Sequence, residues 1–153
     1  MTKANLFNPE FIVIHHSASE RTLSVEAIRQ YHISRGFDDI GYHKLIDFAG
    51  NLYDGRPLEI PGAHALGFND QSIGICCIGN FEDEEPTTKM LNTLNLLLLD
   101  LCSSFNIEVD RIIGHFEVRN FIEAKSGAKC PGKNLRFLLS KIRKNVASNL
   151  AMS

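Results

Sequence analysis

The chain has 153 residues, 44% hydrophobic and 22% charged, with 16 basic against 18 acidic side chains and a formal charge of −2. That is enough chain for one domain with a real core, and the near-neutral balance argues against a nucleic-acid binder, which usually carries a basic excess. The most apolar run, residues 94–101, is interrupted by Asn95 and Asp100 and is too short to cross a bilayer. Residues 1–5 are polar and lead into no long apolar run, so the chain is expected to lack a signal peptide and to be cytoplasmic as synthesised.

Residues 1–10 read as an N-terminal extension. Phe11-Ile12-Val13-Ile14 then reads as a strand buried on both faces, rich in β-branched residues, that runs straight into His15 and His16. On the residues alone, one of the pair is a rim residue and the other is solvated, with nothing to say which. Ser24 is a suitable N-cap for a helix over 25–32, where Val25, Ile28 and Tyr31 fall at helical spacing, and Gly36 ends it. His32, near that helix's C-terminus, is expected on its surface or as a cap. Residues 41–48 and 52–56, separated by Gly50-Asn51, predict a β-hairpin. His64 falls in a loop rich in turn formers. Ser72 to Gly79 predicts a second buried strand, with Gly74 and Gly79 marking close backbone approach.

The acidic run 82–85 reads as a solvated loop near the positive end of a following helix dipole. That helix is predicted over 89–104, started by Pro86-Thr87-Thr88, with Met90, Leu91, Leu94, Leu97, Leu98 and Leu101 as its core stripe. Residues 111–115 predict a third strand that again ends in histidine, His115. A long loop and a last amphipathic helix over 134–148 complete the chain. Cys76, Cys77 and Cys102 read as small buried apolar residues. Cys130 sits instead in a polar segment with Gly127, Pro131 and Gly132, which points to a metal or catalytic role.

The polar residues at strand ends and in irregular loops are His15, Tyr42, His64, His115 and Cys130. Two strands with the same ending could bring two imidazoles to one sheet edge, and Cys130 could close on them. A His₂Cys set suits Zn²⁺ and leaves a fourth position open, the catalytic rather than the structural arrangement. Hydrolysis of an amide or ester is the chemistry such a site supports.

Several segments, in this order, carry a wider likeness: Ile14-His15-His16-Ser17-Ala18, Ile28-Arg29-Gln30-Tyr31-His32, Gly41-Tyr42-His43, Gly62-Ala63-His64-Ala65 with Gly67-Phe68-Asn69, Ser72-Ile73-Gly74-Ile75, Gly114-His115-Phe116-Glu117-Val118 and Cys130-Pro131-Gly132. Over residues 11 to about 139 the sequence resembles the zinc-dependent N-acetylmuramoyl-L-alanine amidases, the family of phage lysozyme-type endolysins and peptidoglycan recognition proteins. The resemblance implies a single α/β domain, a mixed sheet flanked by about three helices, with residues 11–149 as the catalytic domain and 150–153 as a tail. It implies His15, His115 and Cys130 as zinc ligands, Tyr42 beside the metal, and His64 and Asn69 in the substrate groove. Family members often carry a lysine two positions before the metal cysteine. Ala128 stands there in this chain, and Lys129, with Lys125 as the other candidate, is the expected catalytic lysine.

The expected activity is hydrolysis of the amide between N-acetylmuramic acid and L-alanine in peptidoglycan or muropeptides, by a monomer with one Zn²⁺. A phage release system would take an endolysin of this kind to the wall, and a bacterial enzyme of this kind would recycle internalised fragments. The alternatives are a module that binds peptidoglycan without cutting it and a zinc amidohydrolase acting on a small non-wall amide. Recognition proteins without catalysis tend to lose the cysteine, so Cys130 favours an enzyme.

Overall fold

The computed structural model describes residues 6–124 and 127–152. Its elements in chain order are β1 (Phe11–His16), α1 (Val25–Ser34), β2 (Lys44–Ile46), β3 (Leu52–Asp54), β4 (Ser72–Cys77), α2 (Thr88–Phe105), β5 (Ile112–Gly114) and α3 (Lys133–Met152). Among the described residues the five strands form one mixed sheet in the order β3-β2-β4-β1-β5. β2, β4, β1 and β5 run parallel, and β3 pairs antiparallel with β2 as the predicted hairpin. The expected single α/β domain with three flanking helices is what the chain forms.

Alternation along β1 divides the molecule. Ile12 and Ile14 point into the main core with Ile73, Ile75, Leu94, Leu98, Leu101, Leu135, Leu139 and Ile142, against α2 and α3. Phe11 and Val13 point the other way, into a second cluster with Ala65, Phe68, Ile113 and Val118. On that second face α1 packs through Ile28 with Leu45, Cys76 and Ile78. Strict period-two geometry therefore sends His15 to the α1 side and His16 to the α2–α3 side. A strand buried on both faces in a parallel sheet accounts for the unbroken apolar run that precedes the histidines.

The helix ends follow the sequence closely. Ser24 Oγ accepts a hydrogen bond from Ala27 N, and Thr87 Oγ1 accepts one from Met90 N while donating to Phe48 O. The last helix exceeds its predicted end at Ser148 and runs to Met152. The acidic run departs from its expected role. Glu82 is not left to solvent: it accepts a hydrogen bond from Lys133 N at the start of α3 and lies 3.5 Å from Arg136, so one acid of the run serves the positive end of α3.

Leu98 is fully buried in the main core and Leu96, two positions away on α2, is largely exposed. Leu98→Ala is expected to cost about 2–5 kcal/mol through lost burial and a residual cavity, and Leu96→Ala about 0.5 kcal/mol or less. Urea denaturation of both variants measures the contrast.

Candidate metal centre

Parallel pairing puts the carboxyl ends of β1, β4 and β5 along one edge, where ligands of open α/β sheets commonly bind. β1 and β5 pair in a register that sets Ile14 opposite Gly114, so the next residues, His15 and His115, stand side by side with ring centroids 4.6 Å apart. The turn after β5 is built to hold this position. Glu117 Oε1 accepts a hydrogen bond from Gly114 N and lies 3.5 Å from Arg143 of α3. On the other side of the ring is Gly127, where any Cβ would fall 2.4 Å from His115 carbon atoms. Only glycine fits that contact, and its φ of +75° favours glycine as well.

Cys130 closes on the pair from the loop before α3. Its Sγ lies 3.8 Å from His15 Nδ1 and accepts a hydrogen bond from His16 N at 3.3 Å. One potential ligand atom from each of His15, His115 and Cys130 falls within a span of 4.8 Å. Tetrahedral coordination with bonds of about 2.0–2.3 Å needs ligand atoms roughly 3.3–3.8 Å apart. The cluster could therefore hold a metal ion once its most distant donors draw together by about 1–1.5 Å. The donor set, two imidazoles and a thiol, fits zinc better than it fits a hard oxygen-seeking cation.

The electrostatics are those of a buried donor set. Burial lowers the pKa of His15 well below its ordinary value, with His64 and His115 adding to the effect, and lowers that of His115 to about 4. The imidazoles are neutral and have lone pairs to give. Burial pushes the Cys130 thiol up to about 12, against the opposing pull of His16 N–H. Metal uptake at neutral pH must then displace the thiol proton.

The surrounding cleft, about 560 Å³, is lined by His15, His115, Cys130, Tyr42, His64 and Asn69 together with His32 of α1 and Arg35 just past its end. Tyr42 packs its ring 5.2 Å from that of His15. Burial, then the neighbouring Cys76, raise its pKa well above 10, so it is a donor at neutral pH. His64 Nδ1 is 2.8 Å from His15 Nε2. Asn69 Oδ1 accepts from both His64 N and Ala65 N at 2.8 Å, so its carboxamide shapes the loop as well as lining the cleft. Lys129 is exposed and is not among the cleft-lining residues. Lys125 lies outside the described residues.

Two features escaped the sequence. His32 is buried, not on the helix surface: its Nδ1 accepts from Gly41 N at 2.9 Å, and its ring packs 5.3 Å from that of Tyr42. The neighbouring motif Gly41-Tyr42-His43 was the available signal. Arg35, one turn on from His32, brings an exposed guanidinium to the cleft, beside the Tyr31 and Phe37 rings. His16, as its alternation implies, turns to the opposite face, where Nδ1 accepts from Phe81 N.

Fold and donor set together define a single-domain α/β protein with a potential metal site at the carboxyl edge of its sheet. The family model described as N-acetylmuramoyl-L-alanine amidase matches residues 5–133. Peptidoglycan-recognition protein LE of Drosophila melanogaster is 37% identical over 135 residues, a match covering 82% of this chain and 37% of that protein; the chain thus spans little more than a third of the relative's length. Among solved structures, the N-acetylmuramoyl-L-alanine amidase LysC from Clostridium intestinale superposes with a TM-score of 0.81 at 32% identity, covering 92% of this chain and 87% of that one. Peptidoglycan recognition protein-LE in complex with tracheal cytotoxin, a monomeric diaminopimelic acid-type peptidoglycan, gives a TM-score of 0.71 at 33% identity, covering 90% and 81%. The chain belongs to the N-acetylmuramoyl-L-alanine amidase family.

Two buried histidines, His32 in the cleft wall and His43 behind it, make stability depend on pH. His43 is fully buried, with Nδ1 accepting from Gly74 N and Nε2–H donating to Ile60 O, and burial lowers its pKa; burial lowers that of His32 too. Unfolding returns each to about 6.5, so the unfolded chain binds more protons and stability is lost as pH falls below that value. The slope is up to about 1.4 kcal/mol per pH unit for each histidine that must charge. Urea midpoints of the metal-free protein should fall between pH 7.5 and 5, and a flat profile would contradict this assignment of neutral buried rings.

Proposed function

We propose that the protein is a zinc-dependent amidase that hydrolyses the bond between the lactyl group of N-acetylmuramic acid and L-alanine of the peptidoglycan stem peptide. The observation that carries this reading is the His15–His115–Cys130 cluster, three soft and borderline donors on the floor of an open cleft. Zinc held by three side chains supplies Lewis acidity to a carbonyl and activates water near neutral pH. Water adds its hydroxyl to the carbonyl carbon and its remaining proton to the alanine nitrogen, so the products are a free lactyl carboxylate and a stem peptide.

Tyr42, kept protonated by burial, donates a hydrogen bond to the oxygen on which charge develops. Lys129, on the exposed flank of the cysteine loop, is the second candidate for that role, and Lys129→Ala separates the two by its effect on kcat. His64 and Asn69 form the wall beside the scissile bond. Arg35 offers the cleft a cation for a stem-peptide carboxylate.

An extended substrate is favoured over a small amide by a neighbouring hollow. About 1290 Å³ opens between Leu66-Gly67 and residues 119–124, and Leu66 is common to its wall and to the cleft's. Such a paired groove suits a glycopeptide with several residues to seat. The kinship with an amidase and with a recognition protein bound to monomeric peptidoglycan supports the same substrate class. None of the helices formed by the described residues is long and apolar enough to cross a membrane. A phage release system, or the import of wall fragments, would bring enzyme and substrate together.

Purified sacculi test the reading. Stem peptides with a free alanine amine should appear, disappear with a chelator and return with zinc. Cys130→Ser should lose metal and release together while its circular dichroism is kept. Tight binding to sacculi that stay uncut would make the protein a recognition module instead.

A further inference from the structure

The direction of every hydrogen bond behind His15 can be read from one end. Ser72 Oγ donates its hydrogen to Phe68 O at 2.7 Å. Both Ser72 oxygens that face His64 Nε2, the carbonyl and the hydroxyl at 3.4 Å, are then left only to accept. His64 must therefore carry its proton on Nε2 and present a lone pair at Nδ1. His15 Nε2, 2.8 Å away, must donate to it. That leaves His15 Nδ1 without a proton, and Nδ1 is the atom 3.8 Å from Cys130 Sγ.

We infer that His64 is a positioning residue: through the chain Ser72–His64–His15 it selects the His15 tautomer whose Nδ1 is free to bind metal. The inference rests on the metal reading of the cluster. The site is built to hold this ring and little else. Gly74 on β4 lies beneath it, where a Cβ would fall 2.5 Å from His64 Cγ and 2.6 Å from Cδ2. His43 packs edge-on at 5.9 Å, and Asn69 Oδ1 pins the backbone of His64 itself. Ligating histidines elsewhere are oriented in the same way by an acceptor on their second nitrogen, more often a carboxylate or carbonyl. Here the acceptor is a neutral imidazole, whose polarity is set by a serine whose own proton is committed elsewhere.

The test uses the full chain. His64→Asn keeps an acceptor, Oδ1, about where Nδ1 stands, and His64→Leu keeps bulk without one. Zinc dissociation constants by chelator competition should rise about 10–100-fold in His64→Leu and stay near wild type in His64→Asn. Nitrogen-15 NMR of the metal-free wild type should find His15 protonated at Nε2, and His64→Leu should shift it towards a mixture of tautomers. Unchanged zinc affinity in His64→Leu, or His15 protonated at Nδ1 in the wild type, would overturn the inference. Should the wild type take up no zinc, the metal reading falls, and the tautomer in the metal-free protein still decides the role of His64.

Discussion

The parallel pairing of β1 with β5 is the constraint on which the rest depends. Its register sets Ile14 opposite Gly114, so the residue after each meets its counterpart at the sheet's carboxyl edge. Parallel strands are required for this, because antiparallel neighbours would send the two histidines to opposite ends. Alternation does the second half of the work by placing His15 on the α1 face and sending His16 to the α2–α3 face. A slip of one residue in β1 would exchange the two histidines and drive Ile12 and Ile14 out of the main core. Burial of these isoleucines thus enforces the geometry of the site.

The remaining parts are fastened to this edge from outside the sheet. Cys130 arrives on a loop tied down by Phe116 N donating to Cys130 O and by Glu82 meeting the start of α3. His115 is held between the Glu117-capped turn and the bare backbone of Gly127. His64 reaches His15 because Gly74 leaves its place open. Each device orders a polar side chain in a dry setting, which is costly unless partners are supplied. The partners are backbone amides for His16, His32 and His43, the His15 ring for His64, and both the His16 amide and the His15 ring for Cys130.

Much of this was legible in the sequence. The strand–histidine endings, the hairpin, the capped helices and the odd setting of Cys130 all follow from local pattern, and local pattern decides these elements. The closeness of Gly74 to another group was also readable, though not the identity of that group. What local pattern could not reach depends on contacts between distant segments. His32 looks like a surface residue on its own helix and is buried because Phe37, Gly41 and Tyr42 fold over it. Glu82 looks solvated until α3 begins beside it. The need for glycine at 127 exists only once His115 is in place. The exposure of Lys129 could not be read either, since an irregular loop has no period from which to read a direction.

The central claim is that two imidazoles and one thiolate hold a zinc ion with a position to spare. X-ray absorption at the zinc edge of the stoichiometrically loaded protein tests it most directly. The account predicts one sulfur at about 2.3 Å and two imidazole nitrogens near about 2.0 Å, with a lighter exchangeable scatterer completing the shell. A shell without sulfur, or one closed by four protein donors, would contradict it.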